Sequence, residues 1–258
     1  MGVIRTDKLP VYLQQQAFLA SLLGDGSVSK PPIGVNYHFG VYHSAKQQAY
    51  LEWKHGLFQP FSRPIQHCAN LDKRDGKVRE GYRFHTISHP YFTMLRHLVY
   101  DGHRKTITAN WLNQIKHPIA LAILIGDDGS AINASKSRAC GVQIATKQFS
   151  QAENSLVAFW LHSTFGLNTA KVKGQRYPFI AIGVKDMPRL RALVLPYLPD
   201  VVTYKVGGAL WTECTRWVGE IKITCTFCGK PIEVYASSKQ HFCSQKCAGL
   251  AKRGMTPV

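Results

Sequence analysis

The chain reads as an α+β protein built from two pseudo-symmetric αββαββα repeats, followed by a small cysteine-bearing module. Three observations carry this. An apolar run closed by Asp-Gly occurs twice, FLASLLGDG at Phe18 to Gly26 and LAILIGDDG at Leu121 to Gly129, so that Asp25 and Asp128 stand 103 positions apart. Strand and helix patterns recur behind both acids at matching distances. Four of the seven cysteines fall together near the C-terminus.

Each apolar run is long enough for a helix, and each is followed by a glycine, which takes the left-handed backbone that ends helices without strain. Both acids are therefore expected at helix C-termini. The carbonyl end of a helix disfavours a carboxylate by about 0.3 to 1 kcal/mol. A divalent cation relieves that repulsion, because hard cations take carboxylate and carbonyl oxygens together. Taken singly, either run also reads as a core helix ending in an Asp-Gly turn. Their pairing inside matched repeats, on an acid-poor chain, favours the metal reading.

After Asp25, Tyr37 to His43 alternates as a strand, Gln47 to Phe58 reads as a helix, and Arg83 to Ile87 reads as a strand before a helix begun at Pro90. After Asp128 the counterparts are Gly141 to Thr146, Gln151 to Phe165, Phe179 to Val184 and Met187 to Leu195. Val41 and Ile144 each lie 16 positions past their acids, and Phe61 and Phe165 lie 36 and 37 past them. The halves then diverge: His89 is 64 past Asp25 and Lys185 is 57 past Asp128. The excess falls in Leu71 to Glu80, where Asp75-Gly76 marks a longer hairpin tip. The expected division is a first repeat over residues 1–104, a linker over 105–117, a second repeat over 118–206, a connector over 207–222 and a terminal module over 223–258.

On the first apolar helix Ala17, Ala20, Ser21 and Gly24 fall on one stripe, and the second offers Ala122 and Gly126. Small side chains permit close approach, so the two helices are expected to pack together and bring Asp25 and Asp128 to a common centre. Two like charges there raise the demand for bound metal. Phosphodiester hydrolysis is the economical chemistry for such a pair, with metal activating water and stabilising the leaving oxygen.

The charge balance agrees. Lys plus Arg number 32 against 15 Asp plus Glu, a net charge of +17, and the pI is near 9.7. A polyanionic partner follows, with double-stranded DNA first. No apolar run of about 18 residues and no strongly basic amphipathic helix points to a membrane. The N-terminus MGVIRTDKLP lacks a signal-peptide core. A cytoplasmic (nucleoid-associated), nuclear or organellar location is expected, and an odd number of cysteines with four clustered suits a reducing compartment.

At these residues the chain resembles the LAGLIDADG homing endonuclease family, in its single-chain, two-motif form. LAILIGDDG keeps the Leu-Ala, the Leu-Ile and the final Asp-Gly, whereas FLASLLGDG keeps mainly the spacing and the Gly-Asp-Gly ending. FHTISHPYF, Tyr100 with RKTI, HPIALAILIGDDGS and TYK at 203–205 are also similar, so the likeness spans residues 12 to 206. It implies a monomer whose saddle-shaped sheets ride the DNA major groove and whose motif helices meet at the centre. It further implies Mg²⁺-dependent cleavage of both strands across the minor groove, with Ca²⁺ able to substitute without cleavage. Asp25 and Asp128 match the family's metal-binding acids, with Gly24 and Asp127 contributing through their main chain. The basic residues near the scissile phosphate correspond to His89 and Lys185. Histidine is the weaker electrostatic partner, which implies unequal cutting of the two strands, and His89 also reads as a helix-entry residue before Pro90.

If Phe39, Val41 and Phe84 face the helices, alternation sends Asn36, His38, Gly40, Tyr42, Arg79, Arg83 and His85 to the other, DNA-reading face. Gln143, Lys171, Lys173, Gln175 and Arg176 are the second-repeat counterparts, and Lys73, Arg74 and Lys77 reach out from the hairpin tip. Arg to guanine and Gln or Asn to adenine are the usual groove pairings. Some of these residues are expected to touch only phosphates or solvent.

Cys225-x2-Cys228 and Cys243-x3-Cys247, with 14 residues between the pairs, suit tetrahedral structural Zn²⁺ in a treble-clef or zinc-ribbon-like module. Between Lys222 and Val258 five Lys and one Arg face one Glu, so the module either grips DNA or serves as a stabilising cap. Cys68, Cys140 and Cys214 read as packed or idle thiols, and Trp211 and Trp217 as anchors for the module. The functional expectation is a site-specific DNA endonuclease. An intron RNA maturase of the same fold is the first alternative. A non-catalytic DNA-binding regulator is the second, though it has no need of two acids at the helix ends.

Overall fold

The computed structural model describes residues 9–72, 75–135, 138–207, 220–235 and 240–254. It divides into two compact units, residues 1–212 and 213–258. The larger unit opens with α1 (Tyr12–Leu23), β1 (Ser27–Ser29), β2 (His38–Ser44), α2 (Gln48–Leu57), β3 (Gln66–Leu71), β4 (Val78–His85) and α3 (Pro90–Val99). A hairpin of β5 (Tyr100–Asp101) and β6 (Arg104–Lys105) and the short α4 (Ala109–Asn113) follow. The second repeat is α5 (Pro118–Asp128), β7 (Gly129–Ser135), β8 (Arg138–Ile144), α6 (Gln151–Phe165), β9 (Lys171–Lys173), β10 (Phe179–Gly183) and α7 (Met187–Val194), closed by a 3-10 segment at Asp200–Val206. Each repeat carries a four-stranded antiparallel sheet, in the orders β1-β2-β4-β3 and β7-β8-β10-β9. The α+β class and its internal repetition are as the sequence predicts.

Period two sorts the strands as expected. Phe39, Val41 and Phe84 are buried in the first repeat, and Val142, Ile144, Ile180 and Ile182 in the second. α1 is enclosed on all sides from Gln16 to Leu23, and α5 from Ile119 to Asp127. A helix so enclosed needs apolar residues all round, which is why neither run shows a polar face. Phe18 anchors α1: its ring stacks on Phe58 at 4.1 Å and meets Phe39 and Phe92 edge-on at 5.1 and 5.0 Å.

The strands that sequence pattern did not locate are β1, β3, β7 and β9. β1 and β9 have three residues each, and β3 is exposed along most of its length, so none of these three carries a long alternation. The segment expected as a linker is also more than a connector. Ile107, Trp111, Leu112 and Ile115 are buried, and Thr108 caps α4 by accepting from the Trp111 amide at 3.2 Å. Their spacing, i, i+4, i+5 and i+8, is a helical face. Two clasps hold the segment at its ends. The Gln16 side chain accepts from the Lys116 and His117 amides at 2.7 and 3.0 Å and donates to the Gln114 carbonyl at 2.8 Å. Glu153 pairs with Arg104, accepts from the Ile107 amide at 3.0 Å and caps α6 through Ser150.

The smaller unit contains a hairpin of β11 (Glu220–Thr224) and β12 (Pro231–Tyr235) and the helix α8 (Gln245–Lys252). Among the described residues no helix is long and apolar enough to cross a membrane. Cys214, Trp211 and Trp217 lie outside the described residues, and the side chain of Cys140 does too. Replacing Trp111 by Ala should destabilise the protein by about 3–5 kcal/mol in urea unfolding. A loss below about 0.5 kcal/mol, typical of a surface site, would return the segment to a passive linker.

Candidate functional site

The centre of the larger unit is the contact between α1 and α5. A Cβ on Gly24 would lie 2.7 Å from the Asp127 Cβ, and one on Gly126 would strike the Tyr50 hydroxyl, so neither helix tolerates a larger residue at its end. The glycines that follow the acids act differently from the expectation. Gly129 has φ −78° and ψ 149°, an extended backbone, and Gly26 is not among the glycines with positive φ. They are required for space: a Cβ on Gly26 would sit 2.6 Å from the Phe39 ring, and one on Gly129 would sit 2.5 Å from the Ile125 carbonyl oxygen.

The packing brings both acids to the helix ends. Asp128 is the last residue of α5, and Asp25 lies two residues past the end of α1, after the C-cap Gly24. Burial, then the charge of Asp127, pushes the Asp25 pKa up. Burial, then Asp25 and Asp127, pushes Asp128 up to about 7. Each acid is thus held near like charges in a partly dry site. Asp128 Oδ2 is buried without a hydrogen-bond partner. An orphaned carboxylate oxygen on an acid that feels the charge of Asp25 is a hard-oxygen donor of the kind that Mg²⁺ and Ca²⁺ use.

Positive charge reaches the acids from three lysines. Lys105 on β6 donates to the Gly24 carbonyl at 2.9 Å. Lys205 in the 3-10 segment donates to the Asp127 carbonyl at 3.0 Å and also to that of Gly126. They stand 80 and 77 positions past Asp25 and Asp128, so they are equivalents in the two repeats. Burial lowers the Lys105 pKa to about 8 against the pull of Asp127, Asp128 and Asp25, and it lowers Lys205 in the same way. The third is Lys54 on α2, fully buried.

Neither His89 nor Lys185 is among the charges that act most on Asp25 and Asp128. His89 is the N-cap of α3: its Nδ1 accepts from the Tyr91 amide at 3.1 Å, and its ring lies edge-on to Phe61 at 5.8 Å. The turn into Pro90 directs that side chain back onto its own helix. Lys185 sits in the 3-10 turn Val184–Asp186 ahead of α7. The lysines whose charges act on Asp25 are instead Lys54, Lys205 and Lys105. The signal was in the sequence, since Lys105 lies in RKTI and Lys205 in TYK.

Asp127 contributes more than a main-chain carbonyl. Its carboxylate accepts from Lys54 Nζ at 2.8 and 2.9 Å and from the Tyr50 hydroxyl at 2.9 Å, and Oδ2 lies 3.3 Å from the Asp25 amide. The extra acid of the second motif therefore ties α5 to α2 of the first repeat and touches the backbone of the opposing acid. Pattern reasoning also passed over His43. On the helix-facing side of β2 it is 2% exposed, with Nδ1 3.5 Å from Asp25 Oδ2. Burial, reinforced by Lys54, lowers its pKa to about 4, so the ring is neutral at pH 7.

The outer faces of the sheets hold most of the expected DNA-facing residues. Tyr42, Arg83 and Gln66 stand in register across β2, β4 and β3, and Gly40 pairs with His85. The His38 ring bonds Ser29 at 3.0 Å and meets His85 at 4.8 Å. Burial leads in lowering the pKa of both histidines, so they present neutral rings. In the second repeat Gln143 and Lys171 flank Ala181, Lys173 pairs with Phe179, and Gln175 and Arg176 lie exposed in the turn beyond. Others are also engaged within the chain: Asn36 accepts from the Thr93 hydroxyl at 3.1 Å, Arg79 pairs with Asp72 at 3.0 Å and Asp75 at 2.7 Å, and Arg83 Nε donates to Gln66 Oε1 at 3.4 Å. Lys77 is exposed near the hairpin tip, whereas Lys73 and Arg74 lie outside the described residues.

In the smaller unit Cys225, Cys228, Cys243 and Cys247 bring their sulfurs within 4.8 Å of one another, a geometry able to hold a metal ion. The Cys243 amide donates to Cys225 Sγ at 3.3 Å. Backbone amides, that of Cys228 foremost, hold the Cys225 thiol below its ordinary pKa and favour thiolate.

Two measurements test the centre. Asp127→Asn and Lys54→Met should each destabilise by about 3–5 kcal/mol, because each strands a buried partner, while the double variant recovers much of the loss; additive losses would remove the coupling. Without alkaline-earth ions, Asp128 binds its proton up to about pH 7 when folded against 3.8 as reference. Its stabilising contribution is therefore full below that reference value and lost as pH rises through 7. The melting temperature should fall between pH 5 and 8, less so in Asp128→Asn and less so with Ca²⁺; equal falls in all three would reject it.

The family model described as the LAGLIDADG DNA endonuclease family matches residues 16–190. The chain is 26% identical over 210 residues to "DNA endonuclease I-ChuI" of Chlamydomonas applanata, covering 75% of this chain and 94% of that protein. It is 27% identical over 193 residues to "Cytochrome b mRNA maturase bI2" of Debaryomyces hansenii, covering 73% and 71%. The solved structure titled "The homing endonuclease I-WcaI bound to its DNA recognition sequence" shares its fold at a TM-score of 0.68 and 23% identity, over 76% of this chain and 86% of that one. With the paired motif helices and a family match over more than half its length, the chain belongs to the LAGLIDADG DNA endonuclease family.

Proposed function

We propose that the protein is a site-specific homing endonuclease that hydrolyses both strands of a long, asymmetric double-stranded DNA target, working as a monomer with Mg²⁺ at Asp25 and Asp128. The observation that carries this reading is the meeting of two motif acids with the buried Lys54 and Lys205 and the half-buried Lys105. The Asp25 and Asp128 carboxylates, with the Gly24 and Asp127 carbonyls, are the donors for the ions. A carbonyl oxygen has two lone pairs, so its lysine bond leaves one free. Bound Mg²⁺ supplies Lewis acidity and lowers the pKa of its water.

Lys105 and Lys205 place ammonium groups where charge builds on the phosphate, one for each half. Arg83, Tyr42, Gln143, Lys171 and Lys173 read or steady the duplex from the outer sheet faces. The four cysteines hold structural Zn²⁺, without which a unit this small has too little core to fold. Its excess of lysine supports an auxiliary DNA grip. The reading assigns the protein to a reducing, DNA-containing compartment: cytoplasm with the nucleoid, nucleus or organelle. The Debaryomyces hansenii relative named a maturase supports a second reading, binding of intron RNA by the same fold.

Purified protein with Mg²⁺ and a library of random duplexes should cut a sequence subset. Asp25→Asn or Asp128→Asn should abolish cutting, and Lys105→Ala or Lys205→Ala should slow it by about 10²–10³. Undiminished cleavage in both acid variants would overturn the assignment. Tight binding of an intron RNA with no duplex cut would favour the maturase reading. Removing zinc should weaken DNA binding, and unchanged affinity would reduce the smaller unit to a cap.

A further inference from the structure

The two acids differ in what stands beside them. Eighteen positions past Asp25 is His43, and eighteen past Asp128 is Thr146. The Thr146 hydroxyl is committed to Asn154 on α6. The imidazole of His43 is 2% exposed, and its Nδ1 faces Asp25 Oδ2 at 3.5 Å. The Tyr50 ring, 5.1 Å away between centroids, packs beside it.

Asp25, His43 and Asp127 each offer an atom within 4.8 Å of the others. The Asp127 oxygens already hold Lys54 and Tyr50, so the donors left are one carboxylate and one imidazole. Metal bonds of about 2.0–2.2 Å to nitrogen and oxygen place neighbouring ligands of one ion about 3.0–3.5 Å apart, depending on the coordination angle. The observed separation of 3.5 Å falls within that range.

We propose that His43 supplies a nitrogen ligand to the cation held by Asp25, which makes the first-repeat position a mixed nitrogen and oxygen site while the Asp128 position stays all-oxygen. This rests on the assignment of Asp25 as a metal-binding acid. Imidazole suits borderline transition ions, whereas Mg²⁺ and Ca²⁺ favour oxygen. The first position therefore takes Mn²⁺ or Co²⁺ in preference to Mg²⁺, and the two positions differ in ion selectivity although their acids are equivalent.

The test uses the full chain with zinc in place and Mn²⁺ as the probe, read by pulsed EPR and by calorimetric titration. The wild type should show ¹⁴N modulation from a coordinated imidazole. His43→Gln, confirmed as folded by its thermal melt, should lose that modulation and bind Mn²⁺ about tenfold more weakly, with Mg²⁺ affinity little changed. Asp128→Asn should keep the modulation. Mn²⁺ binding that requires Asp25 but shows no nitrogen coupling, or coupling that persists in His43→Gln, overturns the proposal. Mn²⁺ binding that is unaffected by Asp25→Asn overturns the metal assignment beneath it as well.

Discussion

The close approach of α1 and α5 is the constraint on which the rest of the centre depends. Where Gly24 meets Asp127 there is no room for one additional carbon. Bringing the two helix ends so close gathers Asp25, Asp127 and Asp128 at the carbonyl ends of two helices, where dipole and like charge both oppose ionisation. Partial burial strengthens the charge interactions there. The surrounding structure answers with Lys54, Lys105 and Lys205, drawn from three different elements.

That compensation is only partly symmetric. Lys105 and Lys205 occupy equivalent places, each bonded to the carbonyl that precedes its acid. Lys54, Tyr50 and His43 come from the first repeat alone, and the carboxylate that receives Lys54 and Tyr50 comes from the second. An inequality between the halves therefore lies in the shell around the acids.

Much of this was legible in the residues. The twin Asp-Gly endings, the stripe of Ala17, Ala20, Ser21 and Gly24, and the alternation of Phe39 and Val41 each determine a local structure from neighbours in sequence. His43 was legible too, since it shares the parity of Phe39 and Val41. What stayed hidden depends on contacts across the chain. Lys54 and Asp127 are 73 positions apart and Lys105 and Gly24 are 81 apart, and no periodicity links them. Counting from strand ends selected His89 and Lys185, whereas the charges that act on Asp25 and Asp128 come from lysines brought near by long-range contacts.

The sequence by itself determined the repeat, the α+β class, the acids at the motif helix ends, the basic surface and the cysteine cluster. These follow from local periodicity, composition and short spacings, which are properties of neighbouring residues. Only the tertiary structure decided which cations face the acids, that the extra aspartate is bound by Lys54 and Tyr50, and that the stretch between the repeats is packed core. Those outcomes are set by which distant elements share a small dry volume, where a buried charge must find its partner whatever its distance along the chain.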